Sequence, residues 1–265
     1  MIARSGTPRT LVAIPVYNEE KYVARVLNRV RRFAGDILVI DDGSTDSTPM
    51  LLAQQSVEVV RHATNRGYGR SMQDAFRWAQ CDGFDWLITM DCDEQHEPEA
   101  IPRFVHAIRE DDADVISGSR YMHPLAADSE GAPPEDRRAI NKVITEELNA
   151  RLNLSLTDSF CGFKAYRVDA IKRLDLDVDG YAFPMQFWVQ AVANDVRIRE
   201  IPVRLIYNDP TRTFGGTLDD PRRRLDHYRQ TMHIEIVRCA ERLPRGAMEG
   251  LGGESEATCV DCRCG

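Results

Sequence analysis

Trp86-Leu87-Ile88-Thr89-Met90-Asp91-Cys92-Asp93-Glu94-Gln95-His96 is the stretch that decides the fold class. Five apolar or neutral residues without a turn former are followed by two carboxylates, two positions apart. Such a run reads as a buried strand with a polar tip. Working outwards, runs at 10–16, 36–40, 57–61, 84–90 and 114–117 also read as strands, bounded by polar residues or glycine. Helical spacing fills the gaps. In 20–33, Val23, Val26, Leu27, Val30 and Phe33 recur at steps of three and four. In 97–109, Pro98 sits where a first-turn proline is tolerated, and Ile101, Phe104, Val105 and Ile108 form one stripe. The β-α-β-α order predicts an α/β protein with a mostly parallel sheet and helices on both faces. Ligands collect beyond the carboxyl ends of such strands, so chemistry is expected just after Val16, Ile40 and Met90.

The second half is less regular. Residues 121–135 read as a loop without periodicity, and 136–152, 168–174 and 184–193 as helices. Two strand-like runs, 196–200 and 203–207, lead into a polar loop at 208–217 with paired glycines. An amphipathic helix over 219–242 closes the fold, with Leu225, Tyr228, Met232 and Ile236 on one face. Residues 243–265 have a linker composition and are expected to be a disordered, cysteine-containing tail.

The chain has 265 residues, enough for one large domain or two small ones, and 43% of them are hydrophobic, which excludes wholesale disorder. Its 34 Lys and Arg against 42 Asp and Glu give a formal charge of −8, a poor balance for general nucleic-acid binding. No apolar run approaches the roughly 18 residues of a membrane-spanning helix. Met1 to Arg9 lack the apolar core of a signal peptide, so a cytoplasmic protein is expected. Cys81, Cys92, Cys161 and Cys239 then read as reduced thiols. Cys259, Cys262 and Cys264 are too few, with no nearby fourth ligand, for a structural zinc site.

Asp91 and Asp93, with Gln95, offer hard oxygen ligands. They are too few for a closed cage but suit Mg²⁺ or Mn²⁺ completed by a nucleotide diphosphate. The plain alternative is a solvated acidic turn before a helix, where carboxylates favour the helix N-terminus. Asp41-Asp42-Gly43-Ser44-Thr45-Asp46 places carboxylates at a second strand's edge, either to meet a ribose or base or as turn and cap chemistry. At Ala13-Ile14-Pro15-Val16-Tyr17-Asn18-Glu19-Glu20 a strand meets proline, an aromatic and a polar cluster that opens a helix.

Together these segments resemble the inverting glycosyltransferase family 2, with its strand ends Pro-x-Tyr-Asn-Glu, Asp-Asp-Gly-Ser and Asp-x-Asp in order. Within the family the likeness is greatest to polyprenyl-phosphate (dolichyl-phosphate) mannosyltransferases and their glucosyl relatives. It rests on Asp91-x-Asp93-x-Gln95-His96-x-Pro98-Glu99, Asn65-x-Gly67, Gly118-Ser119-Arg120-Tyr121, Asp158-x-x-Cys161-Gly162-Phe163 and Arg212-x-x-Gly215-x-Thr217. Three positions depart from the pattern. Gln186 stands where glutamate is frequent, Leu218 where lysine is usual, and Cys161 replaces serine.

The resemblance implies a single GT-A domain over 1–242, with a nucleotide-binding half at about 10–120 and an acceptor half at about 121–242. It implies a nucleotide-sugar donor of the GDP-mannose or UDP-glucose type. Pro15, Tyr17, Glu19, Asp42, Asn65, Gly67 and Asp91 would hold the nucleotide. Asp91, Asp93 and Gln95 would hold the metal, which stabilises charge on the departing diphosphate. Arg212 would add a bidentate phosphate contact. The implied acceptor is a lipid phosphate, already anionic and in no need of a base, held by Arg120, Arg137 and Asn141. If the acceptor is instead a saccharide hydroxyl, a base is required, and Asp158 is the candidate. A non-catalytic nucleotide-sugar-binding protein is the reading from outside enzymology.

Two features are expected to bear on anion and lipid handling. His96, beside two aspartates, is expected to favour its charged form, which suits a phosphate contact better than metal ligation, but a structural role is the favoured reading. Pro221-Arg222-Arg223-Arg224-Leu225 forms a basic cluster that would rest on anionic headgroups at the cytoplasmic face of a membrane, or remain a solvated face.

Overall fold

A computed structural model describes residues 7–122, 131, 133–208, 213 and 215–251. Its first half follows the expected alternation: β1 (Thr10–Val16), α1 (Val23–Val30), β2 (Asp36–Asp41), α2 (Thr48–Leu52), β3 (Glu58–Arg61), α3 (Tyr68–Cys81), β4 (Trp86–Thr89), α4 (Ile101–Glu110) and β5 (Val115–Ser119). The second half adds α5 (Glu135–Leu152), β6 (Lys164–Arg167), α6 (Val168–Ile171), α7 (Phe183–Ala193), β7 (Ile198–Pro202) and α8 (Pro221–Cys239).

The seven strands form one sheet in the order β3-β2-β1-β4-β6-β5-β7. Pairings among β1 to β4, and of β5 with β7, are parallel, whereas β6 runs antiparallel to both β4 and β5. From β1 the chain winds outward through β2 and β3, then returns to place β4 on the other side of β1. This reversal opens a crevice beyond the ends of β1 and β4, where ligands of open α/β sheets lie. Val16 pairs with Asp41 and Ala13 with Thr89, so the acidic segments after β2 and β4 flank the tip of β1.

Strict alternation divides the strands between two cores. Leu11, Ala13 and Leu87 pack under α3, α5, α7 and α8. Val12, Ile14, Trp86 and Ile88 pack under α1 and α4. Both faces being covered is why the parallel strands read as continuous apolar runs. The stripe Val23, Val26, Leu27 and Val30 is the buried face of α1, though the helix is shorter than 20–33. At α8, the Asp220 side chain accepts the Arg223 N–H at 2.9 Å and Pro221 fills the first turn, which fixes the helix start.

Three expectations are corrected. The two strand-like runs at 196–200 and 203–207 give one strand, Ile198–Pro202, followed by an isolated bridge at Ile206. The segment 168–174 is helical only over Val168–Ile171. Ordered packing does not stop at 242: Ala247 is buried, and Arg151 donates to the carbonyls of Ala247 and Glu249. Residues 252–265, with Cys259, Cys262 and Cys264, lie outside the described residues, as do most of the 121–135 loop and Arg212. Among the described residues no helix is long and apolar enough to cross a membrane.

Candidate active site

A cavity of about 630 Å³ lies over the crevice. Its lining includes every nucleotide, metal and acceptor candidate named from the sequence: Pro15, Tyr17, Glu19, Asp42, Asn65, Gly67, Asp91, Asp93, Gln95, Arg120, Arg137 and Asn141. Asp158 lies behind it, and Arg212 is outside the described residues.

The acidic turn is held from several sides. The Asp91 carboxylate rests on the backbone of Gly162, where an added Cβ would lie 2.7 Å from both carboxylate oxygens. The Thr89 hydroxyl fixes that backbone by donating to the Gly162 carbonyl at 2.8 Å. Glu94 adopts a left-handed conformation at φ 61°, uncommon for a residue with a side chain, and Arg25 of α1 grips its carboxylate. Gln95 donates its backbone N–H to Asp93 Oδ1 at 3.0 Å. Glu97 pairs with Arg204 and Glu99 with Arg29, so the outer carboxylates of the segment are bound to arginines while Asp91 and Asp93 line the cavity.

His96 takes a structural role, but not in the charged form expected of it. Its ring is 4% exposed, and its Nδ1 accepts the Asp91 N–H at 2.9 Å, so any ring proton sits on Nε2. Burial lowers its pKa, outweighing the opposing pull of Asp91. A neutral ring tilted against Phe163, with centroids 5.2 Å apart, staples the turn: this is the structural role, without the charged form suggested by its neighbours.

Asp42 anchors the other flank. Its Oδ1 accepts from the Arg66 N–H at 2.8 Å and its Oδ2 from the Gly67 N–H at 2.8 Å. Gly67 is required here: its φ is 101°, and a Cβ would meet the Asp179 carbonyl oxygen at 2.4 Å.

Just after β5, Arg120 Nε donates to Asp158 Oδ2 at 2.6 Å and Nη2 to Oδ1 at 2.9 Å. Asn141 adds a bond to Oδ1 at 3.0 Å, and its own oxygen accepts from Thr145. Glu200 secures the loop beneath by accepting the N–H groups of Thr157 and Asp158. Burial of Asp158, 0% exposed, would by itself raise its pKa. The charge and hydrogen bonds of Arg120, helped by Asn141, overcome this and hold it at about 2. A carboxylate so acidic and so occupied is unsuited to act as a base on a sugar hydroxyl. It is placed to orient Arg120. Arg137 lies over the Tyr207 ring at 5.9 Å.

Several lining residues escaped the sequence reading. Tyr68 and Tyr181 stack at 6.3 Å, and burial, with the nearby Asp91, raises both phenol pKa values. Lys164, 4% exposed, donates to the Cys161 carbonyl beside Trp188, and burial lowers its pKa. Arg224 is 2% exposed, donates to the Leu218 carbonyl at 2.8 Å and pairs with Asp136. The basic cluster is therefore split, with Arg222 and Arg223 exposed and Arg224 turned inward. Only its i, i+4 spacing to Tyr228 of the apolar stripe hinted at this. Gln186 explains its own departure from the pattern. Its oxygen accepts from Asp177 and Val178 N–H, while its amide donates to Asp177 and to buried Glu235, where a second carboxylate would be repelled.

The architecture and the acidic crevice define a nucleotide-sugar type of α/β enzyme, the GT-A fold. The family model described as Glycosyl transferase family 2 matches residues 11–175. The chain belongs to this family and is a glycosyltransferase. It is 33% identical over 208 residues to undecaprenyl-phosphate mannosyltransferase of Micrococcus luteus, spanning 75% of this chain and 84% of that one. It is 30% identical over 208 residues to polyprenol monophosphomannose synthase of Mycolicibacterium smegmatis, spanning 74% and 77%. Among solved structures, glucosyl-3-phosphoglycerate synthase of Mycobacterium tuberculosis, crystallised with Mn²⁺, UDP and phosphoglyceric acid, superposes with a TM-score of 0.65. That match has 16% identity and covers 89% of this chain and 80% of the other, a likeness of fold.

Proposed function

We propose that this glycosyltransferase moves a hexose from a nucleotide sugar to a polyprenyl phosphate, with inversion at the anomeric carbon. The observation that carries the proposal is that one cavity is lined both by Asp42, Asp91 and Asp93 from the segments after β2 and β4 and by the cations Arg120 and Arg137. An anionic acceptor beside an anionic donor needs positive charge, and the arginines supply it. A phosphate monoester is already a nucleophile at neutral pH, so no base is required. This agrees with an Asp158 that is occupied by Arg120. Two relatives carry the names undecaprenyl-phosphate mannosyltransferase and polyprenol monophosphomannose synthase, which supports a polyprenyl phosphate as the acceptor class here.

Asp91, Asp93 and Gln95 fit a hard divalent cation, Mg²⁺ or Mn²⁺. Their donors are oxygens, and the seating of Asp91 on Gly162 leaves no space for a side chain between them. Among the described residues no three His, Cys, Asp or Glu are grouped so as to hold a metal ion by themselves, so a donor diphosphate would have to complete the set. When bound, the cation offsets charge on the leaving diphosphate. The chain's own residues do the rest. Asp42, with Pro15, Tyr17, Glu19, Asn65 and Gly67, orients the nucleoside. Arg120, fixed by Asp158, and Arg137 hold the acceptor phosphate on the opposite side of the sugar, and Asn141 keeps the pair aligned.

The test incubates the protein and Mn²⁺ with radiolabelled GDP-mannose, UDP-glucose and UDP-N-acetylglucosamine, each with a short-chain polyprenyl phosphate. Label from one donor entering the organic phase is expected. Label moving only to water-soluble glycans would replace this acceptor class with a saccharide.

A further inference from the structure

We propose that His62 and Asp74, neither of which touches the cavity, are positioning residues for nucleoside recognition and act through Asp42. His62 follows β3 and is 8% exposed, with its backbone N–H bound to the Asp41 carbonyl at 2.9 Å. Its Nδ1 lies 2.6 Å from Asp42 Oδ1 and its Nε2 3.0 Å from Asp74 Oδ2. Asp74, on α3, is itself clamped: Arg70 Nε donates to Oδ2 at 2.9 Å and Arg77 Nη1 to Oδ1 at 2.7 Å. A continuous chain of close polar contacts thus runs from the outer surface of α3 to the carboxylate at the cavity wall.

This chain does more than fill a core. Asp42 Oδ1 accepts from His62 and from the Arg66 N–H, and Oδ2 accepts from the Gly67 N–H. An ionised carboxylate has about four acceptor sites, so three protein donors leave roughly one, on Oδ2. A carboxylate restricted to one remaining acceptor direction discriminates: it rewards a ligand N–H or O–H in one place and repels a misplaced acceptor. The chemistry it fits is a donor group of a nucleobase or ribose. The diphosphate, which carries only acceptors, is left to the rest of the site. The inference rests on Asp42 meeting the nucleoside, as proposed above, and adds that His62 and Asp74 set its direction.

The experiment is isothermal titration of the full chain, with Mn²⁺ present, using GDP, UDP and inorganic pyrophosphate, alongside donor KM and kcat. The variants are Asp42→Asn, His62→Gln, Asp74→Asn and the charge-preserving Asp74→Glu. Whichever nucleoside diphosphate binds wild type more tightly should weaken about tenfold in His62→Gln and Asp74→Asn, the size of one charge-assisted hydrogen bond. Pyrophosphate affinity should stay within about twofold, donor KM should rise with kcat nearly unchanged, and Asp74→Glu should recover most of the loss. A variant combining His62→Gln with Asp74→Asn should be little worse than either single one, as for residues acting in series. If Asp42→Asn weakens binding but His62→Gln and Asp74→Asn do not, the linkage is wrong while the role of Asp42 stands. If Asp42→Asn has no effect, that role fails and the linkage with it. Equal losses for nucleoside diphosphate and pyrophosphate would reduce His62 to a packing residue and overturn the proposal.

Discussion

The guanidinium of Arg120 closes on the carboxylate of Asp158 through two hydrogen bonds, 2.6 and 2.9 Å long, with Asp158 wholly buried and Arg120 at the cavity wall. The pair converts a flexible cation into a fixed one. Removing the carboxylate would leave Arg120 charged, partly buried and without its bidentate partner.

Asp158→Asn is therefore expected to cost about 3–5 kcal/mol of stability at neutral pH, as for a broken buried pair, and to raise acceptor KM more than donor KM. The pH dependence has a definite sign. The folded pKa, about 2, lies below the ordinary aspartate value, so the ionised group contributes stability above about pH 4, and this is lost as pH falls towards 2. Asp114, held at about 2 by Arg197 and Arg167 against the opposing effect of burial, adds to the same acid transition. Thermal melts between pH 6 and 2.5 should show wild type falling steeply and Asp158→Asn starting lower with a shallower slope.

Gly162→Ala places a methyl group 2.7 Å from both Asp91 oxygens and must displace that carboxylate. The half-saturating Mn²⁺ concentration for transfer should rise by about tenfold or more, while the melting temperature changes by only a few degrees. An unchanged metal requirement would separate Asp91 from the cation.

Gln186→Glu replaces an amide that donates to Asp177 at 2.6 Å and Glu235 at 3.0 Å with a third acidic group. Stability at pH 7.5 should fall by roughly 2 kcal/mol. The crowded carboxylates hold a proton more tightly when folded, so their pKa is raised. The deficit should shrink on acidification to pH 5 and return as pH rises. Chemical denaturation at the two pH values measures it.

Much of this was legible in the sequence, and the reasons are local. β1, β2 and β4 are apolar on both faces because both faces are covered, and their polar tips follow in the chain itself. β6 was not legible. Lys164-Ala165-Tyr166-Arg167 is four residues long with a cation at each end, and its strand identity depends on pairing with β4 and β5 from distant parts of the chain. The same holds for the site. Asp91, Asp93 and Arg120 lie in recognisable runs, whereas His62 meets Asp42 across 20 positions and Arg224 meets Asp136 across 88. The structural role of His96 was legible but its charge state was not, because neighbouring charges are visible in a sequence and burial is not; in the fold, burial is the larger effect.

Asp93→Asn is expected to lower the rate of transfer by two to three orders of magnitude, on the order of other losses of transition-state charge stabilisation. Chelation should abolish wild-type activity and added Mn²⁺ restore it. Full activity in a chelator would remove the cation from the mechanism.

The most direct measurement compares two acceptors of one chain length, a polyprenyl phosphate and the corresponding polyprenol, in transfer from the preferred labelled donor. The phosphate should take label and lose it when Arg137 is changed to Ala, and the alcohol should remain inert, since Asp158, the candidate base, is occupied by Arg120. Equal labelling of the alcohol, or phosphate labelling indifferent to Arg137 and Arg120, would contradict an anionic nucleophile steered by these arginines.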